Sequence, residues 1–135
     1  MSELLNKNAI PPHWTRSLTA LQRGNTHLRS GELPEAIAAY QAAIHHYPHL
    51  SSAHQNLAEA FAQQRNWQQA VTTYKQALTL NPQNPWSYNG LGQALAQQGA
   101  WRDAIEAYQQ ATQLDPKSSE FQENLGQAYL HTQQL

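Results

Sequence analysis

The chain has no cysteine, which removes disulfides, thiol catalysis and thiolate metal sites from consideration. Charge is scarce too. Charged residues make up 13% of 135, and the formal net charge is -1, so the chain as a whole lacks the positive field that holds phosphate backbones or anionic membranes. Nucleic acid is not an expected partner. Apolar runs are only a few residues long, far below the roughly 20 that cross a bilayer, and membrane insertion is not expected either. Met1 to Trp14 carries Glu3 early and lacks the basic start and apolar stretch of a secretory signal, which points to a cytoplasmic location. There is no phosphate-cradling glycine loop, nucleophile elbow, helical His pair with a glutamate, or carboxylate pair set in an apolar surround. No catalytic residue, cofactor or metal ligand is expected, and the chain reads as a non-enzyme.

What the sequence does have is a period. Shifted by 34 residues it meets itself: Pro48, Pro82 and Pro116 align, as do Ala36, Ala70 and Ala104, Tyr40, Tyr74 and Tyr108, and Ala43, Ala77 and Ala111. A fixed period of this size marks a repeat array. The complete copies span residues 17–50, 51–84 and 85–118, after an N-terminal arm at 1–16. Gly24, Ala58, Gly92 and Gly126 extend the register into a half copy at 119–135, together with Leu57, Leu91 and Leu125 and with Ala60, Ala94 and Ala128.

Each copy reads as two amphipathic helices. Ala53, Leu57, Ala60 and Phe61 fall on one helical face, with Gln55, Asn56, Glu59 and Gln63 on another. After a turn, Ala70, Val71, Tyr74, Ala77 and Leu78 repeat the spacing until Asn81-Pro82 stops the helix. Two helices per copy and one in the half copy predict an all-α chain of seven helices. Small residues at Gly92, Ala104 and Ala111 let helix axes approach closely while tyrosine and leucine fill the grooves beside them. The first copy departs from this pattern, with Arg23 in the leucine column and His27 where Phe61 and Leu95 stand. Atypical terminal copies are common in such arrays.

Gly92, Ala104, Tyr108, Leu91, Ala111 and the closing Asp115-Pro116, at a period of 34, resemble the tetratricopeptide repeat, TPR. The resemblance covers three complete copies and the first helix of a fourth. It implies a helix-turn-helix solenoid, a right-handed superhelix whose concave face is lined by the first helix of each pair. On that implication the groove is lined by Leu18, Leu21, Gln22, Asn25 and Arg29, then Gln55, Asn56, Glu59 and Gln63. It continues with Trp86, Asn89, Gln93 and Gln97, then Glu120, Glu123, Asn124 and Gln127. Amides both donate and accept, so Asn25, Asn56, Asn89 and Asn124 form a candidate ladder for the backbone of an extended peptide. Leu18, Leu21 and Trp86 add apolar footholds, Trp86 being the strongest anchor candidate. Family members that capture the C-terminal carboxylates of heat-shock chaperones use lysine, asparagine and arginine together. Here Asn25 and Asn56 match two of those places, whereas Leu21, Trp86 and Gly90 stand where the basic residues would. That argues against a chaperone-tail adaptor.

Trp67 and Trp101, following the inter-helix turns, are expected in packing. His45, His46 and His49 cluster around Pro48 without a carboxylate or thiol, and read as a solvated helix end. Pro11-Pro12 disfavours a helix running straight into the first copy, so residues 1–10 are expected to be a disordered terminus, the alternative being that Leu4, Leu5 and Ile10 dock on the first copy or on another molecule. The half copy is expected either to cap the third copy or to mark a point inside a longer protein. The leading expectation is a scaffold or adaptor that binds a protein or peptide partner in the concave groove. Its alternatives are the N-terminal TPR region of a larger enzyme, such as a glycosyltransferase or methyltransferase, and a module that self-associates through its terminal helix.

Overall fold

The computed structural model describes residues 10–133. Expectations for Leu4, Leu5, Gln134 and Leu135 lie outside the described residues. Seven helices follow one another: α1 (Pro12–Arg29), α2 (Leu33–His46), α3 (Ser51–Gln63), α4 (Trp67–Leu80), α5 (Pro85–Gln97), α6 (Trp101–Leu114) and α7 (Ser119–Gln133). Among the described residues there is no strand, and no helix is long and apolar enough to cross a membrane.

The ends of these helices follow from a few residue types. The second helix of each pair stops at Tyr47, Asn81 or Asp115, each in an extended conformation, because the proline that follows disfavours helical backbone in the residue before it. Within each pair the turn passes through a left-handed residue: Gly31 at φ 74, Arg65 at φ 62 and Gly99 at φ 78. Glycine adopts that conformation without steric cost, and Arg65 is the exception. At the other end, the Asn84 side chain caps α5 by accepting the Trp86 amide at 3.0 Å.

Two boundaries differ from the register. Pro11-Pro12 disfavours an unbroken helix from the arm, yet α1 begins at Pro12 itself, with Pro11 as the residue before the helix. Proline at the first helical position has a suitable φ, and its missing donor would be unpaired there anyway. Residues 12–16 are therefore helical and continuous with the first copy. At the far end, Thr132 and Gln133 align with inter-helix turns but lie in α7.

Successive helices pack antiparallel in a chain, and the first helices α1, α3, α5 and α7 also meet each neighbour in turn. No two second helices approach as closely among the described residues. The first helices are thus drawn together on the inner side, and the second helices fan apart on the outer side.

The core follows the tyrosine and small-residue columns. A Cβ added at Gly24 would lie 2.5 Å from the Tyr40 ring, and one at Gly92 would lie 2.6 Å from the Tyr108 ring. Side-chain volume on one helix is thus compensated by its loss on the other. Trp67 and Trp101 pack against this core at the entrance of α4 and α6. Ala104 is completely buried, so Ala104→Leu is expected to destabilise the protein by about 1 to 3 kcal/mol through overpacking. An unchanged urea midpoint would contradict that contact.

Candidate functional site

The inner face is built from α1, α3, α5 and α7, with α2, α4 and α6 behind them. The amides do not stand as four independent rungs. Asn56 Nδ2 donates to Asn25 Oδ1 at 2.9 Å, and the Tyr40 hydroxyl donates to the same oxygen at 2.7 Å. Asn124 Nδ2 donates to Asn89 Oδ1 at 2.9 Å. The two amide–amide bonds bridge adjacent first helices, so these amides hold the curvature of the face as well as offering their remaining donors and acceptors. Asn89 is 97% removed from solvent, at 3% exposure, and acts from beneath the surface. Gln55 accepts from Asn84 Nδ2 at 2.7 Å, which ties α3 to the cap of α5.

The other groove residues separate by exposure. Gln22, Glu59, Gln93, Glu123 and Gln127 are open to solvent. Leu21 is half-buried against the core rather than free in the groove. Leu18 is exposed and joins Trp14, Ser17, Tyr47 and Leu50 around a small, almost wholly apolar cup of about 180 Å³. Trp86 is 52% exposed, its ring meeting Phe121 edge-on at 4.8 Å. Between α5 and α7 the face opens into a cleft of about 320 Å³, where Gln93, Gln97, Asn124 and Gln127 surround Tyr108. Trp101 and His131 close one side of it, their rings stacked 4.0 Å apart and within 6° of parallel.

The tyrosine column adds a feature that its packing role had hidden. Burial is the main cause that raises the hydroxyls of Tyr40, Tyr74 and Tyr108 above the ordinary tyrosine value. Tyr40 and Tyr108 are pushed up to about 12, and the negative charge of Glu59 adds to the effect at Tyr40 and Tyr74. A raised folded-state value means that the fold prefers the neutral phenol. The stability this contributes is complete below pH 10 and is lost as pH climbs through 12. Helicity followed at 222 nm is expected to fall cooperatively in that interval, together with the tyrosinate absorbance of the buried rings. Ionisation of all six tyrosines near pH 10 with helicity intact would contradict it.

No three histidine or acidic side chains converge in a way that could hold a metal among the described residues. His45 and His49 are exposed, and His46 is half-buried.

Fold and face together define a short helical-repeat solenoid with an inner surface of amides, tyrosine hydroxyls and the exposed indole of Trp86. The TPR repeat model matches residues 59–99 and 93–133, and a tetratricopeptide repeat model matches 19–49. The chain belongs to the tetratricopeptide repeat family. Curated protein sequences give no match. Among solved structures, it is similar to the first TPR of Spaghetti (RPAP3) bound to the HSP90 peptide SRMEEVD, with TM-score 0.87 and 21% identity over 90% of this chain and 98% of that one. It is also similar to the Arabidopsis OM64 TPR domain, with TM-score 0.86 and 20% identity over 88% and 98%. The second TPR domain of human RPAP3, in complex with the HSP70 peptide SGPTIEEVD, gives TM-score 0.84 and 19% identity over 87% and 98%. At these identities the likeness is one of fold.

Proposed function

We propose that this chain is a non-catalytic interaction scaffold that binds an extended segment of a partner protein along its concave face. The carrying observation is the inner surface itself, where exposed amides alternate with exposed Trp86 and an open cleft above Tyr108. Amide side chains serve a peptide backbone without demanding a sequence, and an indole supplies the apolar anchor. Two similar structures hold peptides with acidic ends, SRMEEVD and SGPTIEEVD. In this chain Leu21, Trp86 and Gly90 take the places that cations fill in carboxylate-binding relatives, so an acidic tail has no anchor there. The partner segment is therefore neutral or basic, and the role is that of an assembly factor or adaptor.

Crosslinking of a partner captured from the source lysate tests the surface. Crosslinks are expected on α1, α3, α5 and α7, and crosslinks confined to α2, α4 and α6 would overturn the reading. One observation favours self-association as a second reading. Gly24 and Gly92 each face a tyrosine of the next helix, whereas no described atom lies within 4 Å of a Cβ placed at Gly126. Leu130 beside this face is 59% exposed. Sedimentation at two concentrations separates the readings, since a monomer at both removes the second.

A further inference from the structure

The three tyrosine junctions are built alike, and the middle one differs in a way that points to a ligand. Each junction sets a tyrosine against two register positions, one on the first helix of its own copy and one on the next first helix. In the first these are Asn25 and Asn56, and the set is closed by the two hydrogen bonds on Asn25 Oδ1. In the third they are Gln93 and Asn124; Asn124 donates to Asn89, and the Tyr108 hydroxyl has no hydrogen-bond partner among the described residues.

In the middle junction the corresponding residues are Glu59 and Gly90. Gly90 brings no side chain, and the Tyr74 ring and hydroxyl fill the space that one would take. Among the described residues the Tyr74 hydroxyl has no hydrogen-bond partner, and it is not one of the atoms sealed from solvent. Glu59 is exposed, and its side chain receives only a long 3.5 Å contact from Gln63. The single ion pair among the described residues joins His27 and Glu32, so Glu59 has no cation. The nearby groove cation, Arg29, turns its Nε onto the Asn25 carbonyl of its own helix. One helical turn ahead of Gly90, on the same face, stands the half-open indole of Trp86.

An unpaired carboxylate, a tyrosine hydroxyl able to accept, and an exposed aromatic ring one turn from a residue that adds no side chain to the face suit a cation. We propose that the face between Glu59 and Trp86, over the Tyr74 hydroxyl, is a specificity site for a cationic side chain, arginine above all, of the segment bound in the groove. Its guanidinium pairs with Glu59 and lies on Trp86, where Asn56 and Asn124 close the equivalent positions of the neighbouring junctions. A planar guanidinium forks onto a carboxylate and stacks on an indole at once, which an aliphatic side chain cannot do. An acidic side chain at the same place meets Glu59 with like charge, so the site selects by repulsion as well as attraction. This inference rests on the groove reading of the proposed function.

The test uses the full chain, labelled with nitrogen-15, and three capped nonapeptides of glycine, serine and alanine that differ only at a central arginine, norleucine or glutamate. The arginine peptide is expected to shift the amide signals of Glu59, Trp86 and Gly90 and to bind about 10-fold more tightly than the norleucine peptide. The glutamate peptide is expected to bind most weakly. In Glu59→Gln, an exposed and nearly isosteric change, the arginine advantage is expected to shrink to about 3-fold or less. Equal binding of all three peptides in the groove, or an arginine advantage that survives Glu59→Gln, would overturn the specificity site while leaving the groove intact. No shift on any first helix with any peptide would overturn both.

Discussion

Tyr74→Ala is expected to cost about 3 to 5 kcal/mol of stability, the range for removing a large buried ring. Tyr74 is 6% exposed and joins Ala58, Leu57 and Leu91 in one core cluster. Its position is also the worst available in a linear array. In a solenoid each copy touches only its neighbours, so stability is shared through nearest-neighbour interfaces. Tyr74 belongs to the central copy and lies directly on Gly90 of the next, so its loss weakens a copy and a junction together. Against a total of roughly 5 to 15 kcal/mol for a domain, this uncouples the two ends of the array. Urea unfolding by circular dichroism is expected to show an earlier and broader transition, and a midpoint within error of the parent would refute the packing. Tyr74→Phe separates ring from hydroxyl. With no partner on that hydroxyl, its cost stays below about 0.5 kcal/mol, whereas Tyr40→Phe breaks the 2.7 Å bond to Asn25 and costs about 1 kcal/mol.

That contrast shows where sequence patterning reaches its limit. The period of 34 located every helix from α2 to α6, because proline and small-residue columns control backbone geometry directly. The period also sorted polar from packing faces. A helical stripe, however, reports which residues share a face of one helix, and it is silent on whether polar groups of two helices meet. The bonds Asn25–Asn56 and Asn89–Asn124 join residues 31 and 35 apart, offsets that no single-helix periodicity contains. The tyrosine hydroxyls were missed for a related reason. Their column was assigned to packing, and the available signal was the recurrence of tyrosine, never phenylalanine, at 40, 74 and 108. Pro11-Pro12 was read as a barrier to a helix from the arm, and residues 12–16 were therefore set outside the first copy, whereas the same ring that ends a helix from within suits its first position and starts one at Pro12.

Trp86→Ala is expected to weaken binding of the partner segment by roughly 30-fold, about 2 kcal/mol, the mark of an interface anchor. The folded state is expected to lose no more than about 1.5 kcal/mol, the upper value for an aromatic pair beyond its area. The two effects separate because of where the ring sits. At 52% exposure, Trp86 leaves half its surface in water and touches Phe121 only edge-on, so most of the apolar area lost on substitution is area that only a bound partner buries. Phe121, completely buried, holds the other edge and keeps the indole from swinging freely, which lowers the ordering cost on binding. The substitution to phenylalanine is expected to recover part of the affinity, since a ring face remains for an aliphatic or guanidinium stem. Titration of the captured partner, beside a thermal melt of each variant, distinguishes the cases. A variant that binds normally removes Trp86 as the anchor. A variant whose melting falls as far as that of Tyr74→Ala shows instead that the indole belongs to the core, and that the exposed face above Gly90 is lined by Glu59 and the amides alone.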